Sequence, residues 1–141
     1  IGIYALASST ENQLDFSALH GKRIGVTHGY TYTDEVDNDS GIKREVAPTD
    51  LSNLRKLLRQ RSDYSLVYTR VVDYLTNQYA SEFKGNIKQV GSISLQALYV
   101  SFSKQRKDSL RYAALLDQGL RKIKKNGTYQ QIEQKWRNPA P

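Results

Sequence analysis

The 141-residue chain contains no cysteine, which excludes disulfide bonds, zinc–thiolate sites and thiol nucleophiles together. It has only two histidines, His20 and His28, so a histidine-rich metal site is not expected. No G-x-S-x-G or paired-acid motif accompanies His28, and the acidic run from Asp34 to Asp39 lacks the spacing of an EF-hand loop. We therefore expect no catalytic residue, no bound metal and no cofactor.

Long apolar runs are also missing from the sequence. No stretch approaches the roughly 18 residues of a membrane span, and residues 1–7 lack the basic flank and the length of a signal peptide. The chain begins at Ile1 rather than at Met, as expected of a mature product or an excised piece. With 38% hydrophobic and 25% charged residues, it has the composition of an ordinary globular chain with one core.

The charge of the chain is unevenly distributed. The net charge is +7, and the segment from Lys104 to Arg137 holds ten Lys or Arg against three Asp or Glu. The rest of the chain carries eleven residues of each sign, so the whole excess lies at the C-terminal end. A basic helical face is usually solvated surface, with contact to nucleic acid or an anionic membrane as the alternative. Because no zinc-finger, RRM-like or helix-turn-helix signature is present, we expect no nucleic-acid partner.

Hydrophobic periodicity predicts an alternation of strands and helices. Strands are predicted over residues 1–7, 22–27, 43–47, 64–68, 87–90 and 92–103. Helices are predicted over residues 31–37 and 69–79, after a cap at Thr49 or Asp50, and in two segments between Asp108 and Trp136. Because the strands between residues 22 and 90 alternate with helices over short connections, we expect an α/β fold with a mostly parallel sheet flanked by helices.

One junction in this pattern has the features of a binding site. The predicted strand over residues 22–27 breaks at Gly29 and enters a helix, where backbone N–H groups without partners can hold an anion. The alternative is that this corner only turns the chain. In a parallel sheet, ligands sit beyond the carboxyl ends of the strands, and the second such end of interest is Tyr68-Thr69.

Four segments, taken in order, resemble one family of proteins. Residues 19–29 match the pattern L-x-G-K-x-I-G-V-x-x-G, and residues 51–68 resemble a helix followed by a D-A-x-x-x-D strand. Residues 99–104 resemble a strand that crosses back, and residues 116–136 resemble an L-x-x-G-x-Y-x-x-I-x-x-K-W terminus. Together they resemble the second lobe and C-terminal return of a bacterial extracellular solute-binding protein of the polar amino-acid type, with the type 2 periplasmic binding-protein fold.

The resemblance implies a domain organisation. Residues 1–103 correspond to the second lobe with its hinge strands, which are residues 1–7 and 95–103. Residues 104–141 correspond to C-terminal helices that normally pack on a first lobe, which this chain does not contain. We therefore expect these helices either to fold onto the chain's own sheet or to pair with a second copy in a homodimer.

The resemblance also implies a set of ligand contacts. In the family, backbone amides and a hydroxyl hold the ligand carboxylate, and these correspond to Gly29, Tyr30 and Thr31. The family's aspartate for the ligand ammonium corresponds to Tyr68, whose phenol cannot serve as a counter-ion at neutral pH. Tyr30, Tyr32 and Tyr68 either line an aromatic pocket or are surface and core residues. The candidate ligand-binding residues are Thr27, His28, Gly29, Tyr30, Thr31, Tyr68 and Thr69.

The function that the resemblance implies is non-enzymatic binding of a small polar or anionic, amino-acid-like solute by closure of two lobes. Such a protein works in the periplasm and delivers its solute to the permease of an ABC transporter. One alternative is the ligand-sensing input domain of a membrane receptor, and another is a periplasmic enzyme built on the same fold. The sequence does not name the solute.

Overall fold

Five short strands form one sheet within the first part of the chain, in a computed structural model that describes residues 1–93 and 99–137. The strands are β1 (Gly2–Leu6), β2 (Arg23–Thr27), β3 (Lys43–Ala47), β4 (Tyr64–Val67) and β5 (Ile87–Ser92). Their spatial order is β3-β2-β4-β1-β5. The chain divides into two units, Ile1–Gln96 and Ala97–Pro141, and the sheet belongs to the first.

The sheet is mostly parallel, as predicted. Strand β2 pairs in parallel with both β3 and β4, while β1 runs antiparallel to its neighbours β4 and β5. Four of the five strands therefore point the same way. The connections from β2 to β5 contain α-helices that carry the chain back across the sheet. The connection from β1 to β2 contains only a 3₁₀ turn, Phe16–Leu19, so β1 ends at the edge where β2 begins.

Helices α1 (Asp34–Asn38), α2 (Asp50–Leu58), α3 (Thr69–Gln78) and α4 (Ala80–Phe83) connect these strands. Helix α1 begins three residues later than predicted because Thr33 is its N-cap and accepts a hydrogen bond from the N–H of Val36. Of the two candidate caps for α2, Thr49 is the one used. Helix α4 was not predicted from the sequence.

Both faces of the sheet are buried. Leu66 and Val67 are adjacent on β4, are both fully buried, and belong to different core clusters on opposite faces. One cluster includes Ile3, Ile24, Val36 and Val90, and the other includes Tyr4, Leu54, Leu57 and Phe83. This two-sided burial explains why β1 and β4 are largely apolar, whereas β3 at the edge of the sheet is mostly charged.

Helix α2 is fixed against the sheet by a buried amide. The side chain of Asn53 is fully buried, and its Nδ2 donates to the carbonyl oxygen of Leu66 at 3.3 Å. Its Oδ1 accepts a hydrogen bond from the hydroxyl of Ser65 at 3.0 Å. The amide occupies the space above Gly25, where a Cβ atom would lie 2.1 Å from Oδ1. The glycine in the predicted strand is therefore needed for close packing of α2.

The second unit contains α5 (Ser109–Lys125) and α6 (Thr128–Arg137). Helix α5 ends at Lys125 with Asn126 as its C-cap, followed by Gly127 with a φ of +82°, so Asn126-Gly127 stops the helix as the sequence predicts. None of the residues of α5 is buried. The strand predicted over residues 92–103 falls partly on residues 94–98, which lie outside the described residues, and residues 99–103 are in no strand.

No helix in the described part of the chain combines the length and the apolar character needed to cross a bilayer.

Candidate functional site

A sharp turn follows the end of β2 at Thr27. Gly29 has a φ of +77°, which residues with a side chain rarely adopt, and the N–H of Tyr30 closes the turn by donating to the Thr27 carbonyl at 3.2 Å. The N–H of His28 donates to the carbonyl of Ala47 at 2.8 Å, which extends the pairing with β3 by one residue. Within the described residues, the N–H groups of Gly29 and Thr31 have no hydrogen-bond partner.

Three neighbouring strands end at this edge of the sheet. Because the order is β3-β2-β4 and the three strands are parallel, the residues that follow them lie side by side. Asp50 comes shortly after β3, Tyr30 after β2 and Tyr68 directly after β4. The chain passes outward from β2 to β3 and then returns to the other side of β2, which is the kind of reversal where α/β sheets hold ligands.

The carboxylate of Asp50 is held by two hydroxyl groups. The Thr27 hydroxyl donates to Oδ1 at 2.7 Å, and the Tyr30 hydroxyl donates to Oδ2 at 2.8 Å. The hydrogen bond to this carboxylate raises the pKa of Tyr30 to about 12, with burial and the charge of Asp50 adding to the effect.

The three tyrosines named in the sequence lie together, but they have different roles. Tyr32 is buried, and its hydroxyl accepts from the N–H of Thr27 at 2.8 Å and donates to the carbonyl of Leu66 at 3.4 Å. Burial raises the pKa of Tyr32. The ring of Tyr30 lies 6.0 Å from that of Tyr68 and 6.4 Å from that of Tyr32. Tyr32 is thus a core residue, while Tyr30 and Tyr68 form an aromatic rim.

The other candidate residues occupy positions around this rim. His28, Gly29 and Thr31 are exposed in the turn after β2, and Thr69 is exposed as the first residue of α3. Thr27 is only 5% exposed, so it lies beneath the surface and supports Asp50. The N–H of Tyr30 is used within the turn, whereas those of Gly29 and Thr31 have no partner among the described residues.

Sequence reasoning missed Asp50 as a site residue and considered it only as a helix cap. A signal was present, because the carboxyl ends of all parallel strands meet at one edge and Asp50 follows the end of β3. What the sequence does not reveal is that β3 neighbours β2. That neighbour relation brings the carboxylate within hydrogen-bond distance of Tyr30.

The edge combines groups of opposite character. The N–H groups of Gly29 and Thr31 are donors for an anion, while Asp50 carries a negative charge and Tyr30 and Tyr68 present aromatic rings. In the described residues, no group of three or more His, Asp or Glu side chains is placed to hold a metal ion. Chemically, this edge can bind a small molecule with separated negative and positive ends.

Neither protein-family models nor curated proteins give a match to this chain. Solved structures do. The chain matches domain 2 of TmArgBP with a TM-score of 0.54 and 18% identity, covering 65% of this chain and 95% of that one. The chain has the fold of one lobe of an arginine-binding protein.

Larger structures match over nearly the whole chain. An ancestral arginine-binding protein, in structures bound to arginine and to glutamine, gives a TM-score of 0.72 and 23% identity over 96% of this chain and 58% of that chain. An arginine 3rd transport system periplasmic binding protein from Legionella pneumophila gives a TM-score of 0.70 and 22% identity, covering 96% of this chain and 60% of that chain. The chain therefore spans little more than half the length of these binding proteins.

Proposed function

We propose that this chain is a solute-binding lobe, and that it holds a small, polar, amino-acid-like solute at the carboxyl ends of β2 and β4. The observation that carries the proposal is the presence of N–H groups without partners among the described residues, together with a carboxylate, at the edge where the strand order reverses. The fold shared with arginine-binding proteins supports it.

The turn after β2 supplies the groups for the negative end of the solute. The N–H groups of Gly29 and Thr31, together with the exposed Thr31 hydroxyl, are donors that a carboxylate accepts from. In this proposal His28 within the turn, and Tyr68 and Thr69 after β4, complete the contacts on this lobe.

Binding by such a lobe works through closure on a second lobe. A solute that touches both lobes favours the closed state by the contacts it makes only there. In this proposal the protein is periplasmic, catalyses no reaction and delivers its solute to the membrane permease of an ABC transporter. The transport-system protein with the same fold supports this role.

Helices α5 and α6 supply a surface for another folded unit in this proposal. Large apolar side chains in this part of the chain are strongly exposed, among them Tyr99 at 85%, Leu110 at 86% and Trp136 at 65%. We propose that the first lobe of the same protein covers them, or a second copy where that lobe is missing. Analytical ultracentrifugation of the 141-residue chain tests pairing with a second copy, and a chain that stays monomeric at high concentration contradicts it.

Thermal unfolding tests the binding function. The unfolding temperature of the full-length gene product that contains these residues is measured with a panel of amino acids, organic acids and short peptides. A tight ligand raises this temperature by mass action. Thr31→Ala and Tyr68→Ala should abolish the shift, while Thr10→Ala, which changes an exposed threonine before β2, should preserve it. A folded protein whose midpoint no member of the panel shifts contradicts the proposal.

A further inference from the structure

We propose that Asp50 is the counter-ion for a cationic group of the solute, an ammonium or a guanidinium, beside an aromatic wall made by Tyr30 and Tyr68. The proposal rests on the solute-binding function and gives the chemical class of the solute. The residue proposed to contact the cation follows β3, whereas the resemblance implied an aspartate at the position of Tyr68, after β4.

Charge supports this assignment. None of the seven candidate residues that the sequence indicated is acidic, and Tyr68 stands where a carboxylate was implied. A phenol, unlike a carboxylate, does not serve as a counter-ion for a cation. Asp50 is the acidic side chain that contacts two members of the edge directly, Thr27 and Tyr30.

The carboxylate is also free to accept further hydrogen bonds. An ionised carboxylate has about four acceptor positions, and the hydroxyl groups of Thr27 and Tyr30 use one on each oxygen. The ion pairs of Arg23, Arg55, Lys56 and Arg121 are formed with carboxylates other than Asp50. The two hydroxyl groups fix the orientation of the carboxylate before a solute arrives, which lowers the cost of binding.

The aromatic rings add a second feature that favours a cation. Tyr30 is 42% exposed, and its ring meets that of Tyr68 edge to face, with 68° between the planes. The face of an aromatic ring attracts a cation through the ring quadrupole. A neutral polar solute can donate a hydrogen bond to Asp50, as the two hydroxyl groups do, but it lacks the charge–charge attraction to the carboxylate and the attraction to the rings.

Calorimetric titration with arginine, agmatine and citrulline tests the proposal in the longest protein that the gene encodes. Arginine carries both an ammonium and a guanidinium, agmatine lacks the carboxylate, and citrulline has a neutral group in place of the guanidinium. For the wild type we expect arginine to bind. Asp50→Asn should weaken arginine binding by about 10- to 100-fold, the usual effect of losing a hydrogen bond to a charged group.

The loss in citrulline binding identifies the cation. If Asp50→Asn weakens the binding of citrulline as much as that of arginine, Asp50 contacts the ammonium group. If it weakens only the binding of arginine, Asp50 contacts the guanidinium group. Asp50→Ser is a second neutral variant that keeps an oxygen at this position, in case the asparagine variant does not fold. Asp34→Asn is the matched control, because Asp34 is also the first helical residue after a threonine N-cap and is exposed.

Two negative outcomes are distinguishable. A folded wild type that binds none of the three compounds and no other member of the panel overturns the solute-binding function itself. A wild type that binds arginine, with folded Asp50→Asn and Asp50→Ser variants that bind it equally well, overturns the Asp50 assignment alone.

Discussion

Gly25→Ala should be severely destabilising, although it adds only one methyl group to a strand. The new Cβ would lie 2.1 Å from the Oδ1 of Asn53 and 2.8 Å from the hydroxyl of Ser65. Asn53 is fully buried between α2 and the sheet, so its side chain has no solvent-filled space to move into. The contact is relieved only if the amide leaves its position and α2 shifts outward.

The hydrogen bonds of Asn53 determine the magnitude. Moving the amide breaks its bonds to Leu66 at 3.3 Å and to Ser65 at 3.0 Å, and each buried group left without a partner costs about 1–3 kcal/mol. Overpacking a core position costs about 1–3 kcal/mol in addition. We therefore expect Gly25→Ala to lower the free energy of unfolding by roughly 3–5 kcal/mol, and the melting temperature by about 10 °C or more.

Urea unfolding followed by far-ultraviolet circular dichroism is the appropriate assay. The only tryptophan of the sequence, Trp136, belongs to the second unit, whereas circular dichroism follows the strands and helices of the first unit directly. Gly119→Ala is the control, because a Cβ there meets nothing within 4 Å and the site is inside α5. That substitution should stabilise the helix by about 0.5–1 kcal/mol.

A double-mutant cycle checks the cause. Asn53→Ala removes the closest atom to the new Cβ and leaves only the contact with the Ser65 hydroxyl, so the Gly25→Ala/Asn53→Ala protein should be more stable than the sum of the single effects by at least about 1 kcal/mol. A Gly25→Ala protein whose free energy of unfolding lies within about 1 kcal/mol of the wild type would contradict a clash at this position. Simple additivity of the two substitutions would show that Asn53 is not its cause.

Three further predictions follow from the ionisable and buried hydroxyl groups. Asp50→Asn should bring the pKa of Tyr30 down from about 12 towards its ordinary value near 10, as read from tyrosinate absorbance, and an unchanged pKa would mean that burial alone is responsible. Hydrogen bonding to Arg23 lowers the pKa of Asp63 below 3.8, so its contribution to stability is complete above that pH and is lost as the pH falls through the lowered value. Arg23→Gln should therefore flatten the fall in unfolding free energy below about pH 4, and acid titrations of the two proteins should otherwise coincide. Tyr32→Phe should cost about 1–3 kcal/mol, because the N–H of Thr27 loses its buried acceptor, whereas the same change at the exposed Tyr74 should have little effect in chemical denaturation.

Local signals in the sequence determined most of the secondary structure. All five strands were predicted from the sequence. Apolar residues indicated β1 and β4, which are buried on both faces, whereas β3 was placed at its observed bounds although three of its five residues are charged. Thr49 and Gly127 marked a helix start and a helix end through capping chemistry that depends only on neighbouring residues. The corner at Gly29 was likewise visible, because its backbone angle favours glycine.

Tertiary structure alone decided which strands are neighbours, and with that the chemistry of the edge. The antiparallel direction of β1 depends on where its connection to β2 runs, and no local pattern encodes that path. Asp50 acquires its contacts only because β3 pairs with β2, and Tyr32 becomes a core residue only because its hydroxyl reaches the backbone of β4. Residue types specify what each side chain can do, whereas contacts between residues distant in sequence determine which of them act together.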